Sequence, residues 1–168
     1  MAFRRLSPLL ASAGQPDPSG IEAIGRAGFK HLINLALPTS PGALADEAAL
    51  AARAGLRYVH LPIDFDVPEP AQATRLFEEL ANASHEPVFV HCAKNMRVSA
   101  LLSAYRMVLG GVPCAVARAD LHAIWQPNQT WRHYVSNAAL RAMPRPLRLY
   151  RPAKAATSSP LPAPSATP

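Results

Sequence analysis

The chain of 168 residues has 2 cysteines, positions 92 and 114, too few for a disulfide framework. A reducing compartment is the simpler assumption. No uninterrupted apolar run comes near the roughly 18 residues that cross a bilayer, so no membrane partner is expected. Acidic side chains end at Asp120. Residues 121–168 hold six basic residues (Arg132, Arg141, Arg145, Arg148, Arg151 and Lys154) and no acidic ones, whereas residues 1–120 balance 11 basic against 11 acidic. The net charge of +6 therefore belongs to the C-terminal end. A basic end of this kind reads as a solvated tail, and nucleic acid is not expected as a partner. Arg4-Arg5 followed by Leu6 to Ala13 has the outline of an export signal, but the apolar stretch is short and broken by Ser7 and Pro8. The expected localisation is cytoplasmic.

An apolar content of 49% excludes a wholly disordered chain, and the length fits one domain. Seven prolines fall within residues 144–168, and the last 14 residues carry no charge. The expected organisation is one domain over 1–143 and a disordered tail over 144–168. Within the domain, apolar runs at Leu6–Ala11, His31–Leu37, Arg57–Ile63 and Pro87–Val90 read as strands. Between them, Ser19 is a candidate cap for a helix ending at Gly28, and Ala43–Ala54 and Ala71–Ala83 are helical in composition or spacing. Helices over Val98–Leu109, Pro113–Ala123 and Trp125–Ala142 complete the domain. This alternation predicts an α/β fold, a mainly parallel sheet flanked by helices.

Chemistry concentrates in Pro87-Val88-Phe89-Val90-His91-Cys92-Ala93-Lys94-Asn95-Met96-Arg97-Val98-Ser99. A buried strand ends at a cysteine, a short loop follows, and an arginine opens a helix. At the carboxyl end of a parallel strand such a loop faces the crevice where α/β folds bind ligands. Its amides and the helix end make an anion nest, whose field favours a thiolate at Cys92 over a thiol. Arg97 has the planar fork that grips two oxygens of a phosphate.

His-Cys, a loop, and an arginine before a hydroxyl residue resemble the cysteine-dependent protein phosphatases, especially their dual-specificity-like branch. The resemblance covers roughly residues 6–140. It takes in Gly14-Gln15-Pro16, Ile33-Asn34-Leu35, Tyr58-x-x-x-Pro62, the acidic loop and Tyr105. In particular, the chain resembles a bacterial subgroup with His-Cys-Ala-x-Asn-x-Arg-Val-Ser and a later Trp-x-Pro-Asn-x-x-Trp, here Trp125 to Trp131. The resemblance implies a phosphomonoester hydrolase with Cys92 as nucleophile and Arg97 on the phosphate. Asp64 or Asp66 would be the general acid, with Asp64 nearer the strand end. His91, Ala93, Lys94, Asn95, Met96 and Ser99 would form the substrate-binding loop and its supports. His91 is expected to orient the loop, Lys94 to add positive potential, and Asn95 to supply a left-handed turn where the family has glycine. The implied partner is a phosphorylated protein or small molecule, and no cofactor is required. His60, His85, His122 and His133 show no ligand spacing, so no metal is assigned.

Here the spacing is Cys-x4-Arg, against the family's usual Cys-x5-Arg, and Val98 stands where a Ser or Thr is usual, with Ser99 one place later. The Arg97–Tyr105 interval matches the family's helix, which points to a shortened loop. Cys-x4-Arg is also the loop length of rhodanese-type sulfurtransferases, so a persulfide on Cys92 and a catalytically silent anion-binding module stand as alternatives. Cys114, Trp125 and Trp131 read as packing residues. Nothing in the sequence reports an oligomeric state.

Overall fold

Five short strands form one sheet: Arg4–Ser7 (β1), Leu10–Ala13 (β2), His31–Asn34 (β3), Arg57–His60 (β4) and Val88–His91 (β5), in the order β1-β2-β5-β3-β4. The computed structural model describes residues 2–83 and 85–142. The stretch 144–168 and the expected boundary at 143 lie outside them. All pairings are parallel except β1 with β2. The α/β fold read from the sequence is the fold observed.

β5 is the middle strand. Val88 to His91 pairs with Leu10 to Ala13 on one side and with His31 to Asn34 on the other. Helices cover both of its faces, which is why its sequence is a continuous apolar run with no alternation. Pro18–Arg26 (α1) and Glu47–Arg53 (α2) pack on one face, around Ile21, Leu32, Ala51 and Phe89. The other face carries Pro70–Asn82 (α3), Met96–Val108 (α4), Cys114–His122 (α5) and Gln129–Ala142 (α6), around Ile33, Leu76, Val90, Leu101, Leu121 and Trp131. Phe89 meets Phe29 edge-on at 5.3 Å. Full burial of such a ring contributes about 1.5–3 kcal/mol.

Several boundaries differ from the sequence expectation. The run Leu6–Ala11 is not one strand but parts of two, turning at Pro8-Leu9. Proline has no N–H for the ladder. Ser7 Oγ accepts from the Leu9 amide at 3.2 Å, and the Arg5 guanidinium donates to Pro8 O at 2.6 Å to close the turn. Asp17, not Ser19, caps α1: its Oδ1 accepts from the Gly20 amide at 2.7 Å, and Ser19 Oγ donates to the same oxygen. Helix α2 starts at Glu47 and not at Ala43, and Trp125 precedes α6 instead of lying in it. Cys114, expected in the core, is exposed at the start of α5.

Candidate active site

β5 ends at His91, and Cys92 follows it into the loop with its sulfur almost wholly buried. The loop is held from β2. The Cys92 amide donates to Ala13 O at 3.3 Å and the Gln15 amide to Ala93 O at 3.2 Å. Gly14 lies against this loop, and a Cβ there would meet the Ala93 carbonyl at 3.0 Å. Its lack of a side chain thus sets how closely the loop approaches the sheet.

Asn95 has φ 64, the left-handed turn expected of it, and places the first residue of α4 directly after. Its side chain is turned into the protein. Nδ2 donates to Ala2 O at 2.7 Å and to Ser12 Oγ at 3.1 Å. Asn95 therefore shapes the loop, and its side chain is not presented to a substrate. Ser99 is likewise engaged locally, its hydroxyl donating to Met96 O at 3.2 Å.

Arg97, in the first turn of α4, is buried except for its edge. The guanidinium carbon lies 5.6 Å from the centre of the Phe65 ring, and Nε has no partner among the described residues. Cys92, Ala93, Lys94, Met96 and Arg97 line one cleft of about 350 Å³, closed on the other side by Ser40, Pro41 and Phe65. The shortened loop thus still brings the thiol and the guanidinium to the same opening. A buried cation with an unmet donor beside a thiol is chemically suited to an oxyanion.

Asp64 and Asp66 are exposed and flank Phe65, and neither is among the residues that line the cleft. Asp64 Oδ1 accepts from the amides of Asp66 at 2.8 Å and Val67 at 3.1 Å. Those two bonds, with a smaller contribution from the Arg97 charge, hold its carboxyl below the usual Asp range. Among the described residues no cluster of three or more His, Cys, Asp or Glu could hold a metal ion.

The residue missed by sequence reasoning is Glu47. Its carboxylate is buried, and it accepts from Asn34 Nδ2 at 2.6 Å, Gln15 Nε2 at 2.9 Å and the Tyr58 hydroxyl at 3.2 Å. His91 Nε2 lies 3.1 Å from its Oε1, off the line of a well-formed hydrogen bond, and His91 Nδ1 has no partner among the described residues. Burial pushes the Glu47 carboxyl up, but His91, then Gln15 and Tyr58, outweigh it and hold the group below its ordinary value. Burial chiefly, with the neighbouring Glu47 charge, pushes Tyr58 up to about 12. Gln15, Asn34 and Tyr58 sat in the segments that carried the family resemblance. Glu47 gave no such signal: in Ala45-Asp46-Glu47-Ala48-Ala49 it looks like any solvated helix acid.

The family described as DSP-PTPase phosphatase fused to NAD+ kinase matches residues 6–139. The chain belongs to this family. Among solved structures it is similar to a Shewanella putrefaciens protein assigned as a phosphatase, at 26% identity over 84% of this chain and 93% of that one, with a TM-score of 0.76. P. aeruginosa TpbA shares the fold at 20% identity, over 83% of this chain and 89% of that one, with a TM-score of 0.63. Tk-PTP does so at 16%, over 83% and 97%, with a TM-score of 0.70. No curated protein matches the chain. The domain is a cysteine-dependent phosphatase of the dual-specificity and tyrosine-phosphatase type. Sulfur transfer and silent anion binding are not favoured by any of these likenesses. No described helix is long and apolar enough to cross a membrane.

Proposed function

We propose that Cys92 is the nucleophile of a two-step phosphomonoester hydrolysis. Its thiolate attacks phosphorus, the P–O bond to the leaving group breaks, and a cysteinyl-phosphate forms. Arg97 and the loop amides carry the charge on the transferring phosphoryl oxygens. An aspartate of the Asp64–Asp66 loop gives its proton to the departing oxygen. Water then attacks the phosphocysteine, its proton returns to the same aspartate, and the P–S bond breaks. The observation that carries this reading is the convergence of Cys92 and the buried, partly unpartnered Arg97 on one cleft.

Asp64 is the first choice for the acid. Without substrate its carboxyl is held anionic by the loop amides and by Arg97. A phosphate dianion bound to the same arginine adds negative charge nearby and moves the carboxyl back toward the protonated form that proton donation needs. His91 and Glu47 orient the loop from below. The substrate class is a phosphorylated protein side chain or small molecule. TpbA, which shares the fold, has been crystallised with phosphotyrosine. The compartment that suits a thiolate nucleophile is a reducing cytoplasm.

The test is a parallel assay of wild type and Cys92→Ser on an aryl phosphate and on thiosulfate with cyanide. Wild type is expected to release phosphate and the variant to release none, with no thiocyanate from either. Thiocyanate formation, or phosphate release that survives Cys92→Ser, overturns the assignment.

A further inference from the structure

We infer that Trp125 and Trp131 are positioning residues that hold the Asp64–Asp66 loop docked on the phosphate loop, so that the proton donor is in place before substrate arrives. This deepens the phosphatase reading above and rests on it. The two tryptophans grip different parts of the site. Trp131 Nε1 donates to Phe65 O at 2.8 Å, at the residue between the two aspartates. Trp125 Nε1 donates to Met96 O at 3.0 Å, at the residue before Arg97. The rings of Trp125 and Trp131 lie 5.6 and 5.4 Å from the Phe65 ring and 6.2 Å from each other. Phe65 also meets the Arg97 guanidinium, so acid loop, phosphate-binding arginine and both indoles form one packed block.

Each fixed residue of Trp125-x-Pro127-Asn128-x-x-Trp131 has a part in this. Asn128 Oδ1 accepts from the Trp131 amide at 2.9 Å, which caps the start of α6 and fixes where that indole stands. Pro127 O accepts from the Arg132 guanidinium at 2.6 Å, tying the turn between the two tryptophans to the same helix. One turn further along α6, the Tyr134 hydroxyl donates to Glu69 O at 3.0 Å, and Gln72 Nε2 donates to Pro62 O at 3.0 Å. The segment Pro62–Glu69 is thus tethered at both ends and at its middle. Such a loop has little freedom to swing, and its aspartates stay on either side of Phe65, which lines the cleft, at the entropic cost already met in folding.

The experiment compares two esters. Phenyl phosphate has a basic leaving group that departs only when protonated, whereas 2,4-dinitrophenyl phosphate departs as the anion. The quantity read is kcat/KM, which reports the step in which the leaving group departs. Trp131→Phe keeps an aromatic ring in the stack and removes the Nε1 donor. It is expected to lower kcat/KM for phenyl phosphate about tenfold, the kinetic equivalent of one ordinary hydrogen bond, and to leave the dinitrophenyl ester nearly unchanged. The double variant Asp64→Asn/Asp66→Asn keeps the loop's acceptors and removes the acid. It is expected to show the same selectivity at about a hundredfold or more.

Equal loss on both esters with Trp131→Phe, or loss on neither, overturns the inference while leaving the phosphatase reading intact, provided the aspartate variant is selective. An unselective aspartate variant overturns it too, since the loop then donates no proton. Failure of wild type to hydrolyse either ester overturns the phosphatase reading and this inference together. If Trp131→Phe does not fold, Asn128→Ala carries the same comparison, because it removes the cap that fixes where the Trp131 indole stands and touches nothing that lines the cleft.

Discussion

Glu47 puts a carboxylate where an apolar side chain would normally sit, beside His91 at the end of β5. Three neutral donors and His91 surround it. The folded state holds its proton less tightly than the unfolded chain, whose glutamate titrates near the ordinary value of 4.5. The contribution to stability is therefore full above that value and is lost as pH falls through the lower, folded-state value. Glu47→Gln keeps the size and removes the charge. It is expected to cost about 1–3 kcal/mol at neutral pH, as for a buried group that loses a charged partner. In urea unfolding the gap between wild type and variant should close as the pH is brought down through the carboxylate range. A gap that is constant with pH would assign Glu47 a packing role only. At this scale Cys92, Arg97 and Asn95 were legible in the chain, because their chemistry or backbone preference is unusual in itself. Glu47 was not, because an acid in an alanine-rich helix is ordinary until something folds over it.

Among the elements, the positions of strands and helices were legible and their ends were less so. The ends are decided by hydrogen bonds that several residues compete to make. At α1, Asp17 and Ser19 both have side chains able to cap, and the carboxylate takes the Gly20 amide while the hydroxyl donates to the carboxylate. Asp17→Ala is expected to lower the melting temperature more than Ser19→Ala, since only the first leaves that helix amide without its acceptor. A larger fall for Ser19→Ala in thermal unfolding would reverse the assignment. The hairpin at Pro8-Leu9 has the same origin: a run of apolar residues reads as one strand until the missing proline amide and the Arg5 side chain fold it back. The loop before α4 went the other way. Its shortened spacing and its left-handed asparagine were both visible, because backbone conformation at one residue is a local property.

Over the whole molecule, two tyrosines, Tyr134 buried and Tyr58 half-buried, join separate segments of the chain. Tyr58 of β4 reaches Glu47 of α2, and Tyr134 of α6 reaches the Glu69 carbonyl before α3. Burial pushes each up to about 12 from an ordinary 10.0. A raised folded-state value means that the native protein keeps protons the unfolded chain has released, so stability falls as pH rises from 10 toward 12. Alkaline unfolding followed by tyrosinate absorbance should show these two groups ionising only as the fold is lost. Early, non-cooperative ionisation of all four tyrosines would contradict it.

What the sequence determined by itself was the set of local facts: the alternation that makes an α/β sheet, the strand–Cys–loop–Arg–helix order, and the neutral body with its acid-free end. Each follows from periodicity, spacing or composition over a few residues. Only the tertiary structure decided that Glu47 lies beside His91, and that Trp131, 66 residues from Phe65, donates its indole N–H to the Phe65 carbonyl. Contacts across such separations have no period to read. They exist because the sheet brings chain segments together, and because a buried carboxylate or indole N–H must find a partner wherever the fold offers one.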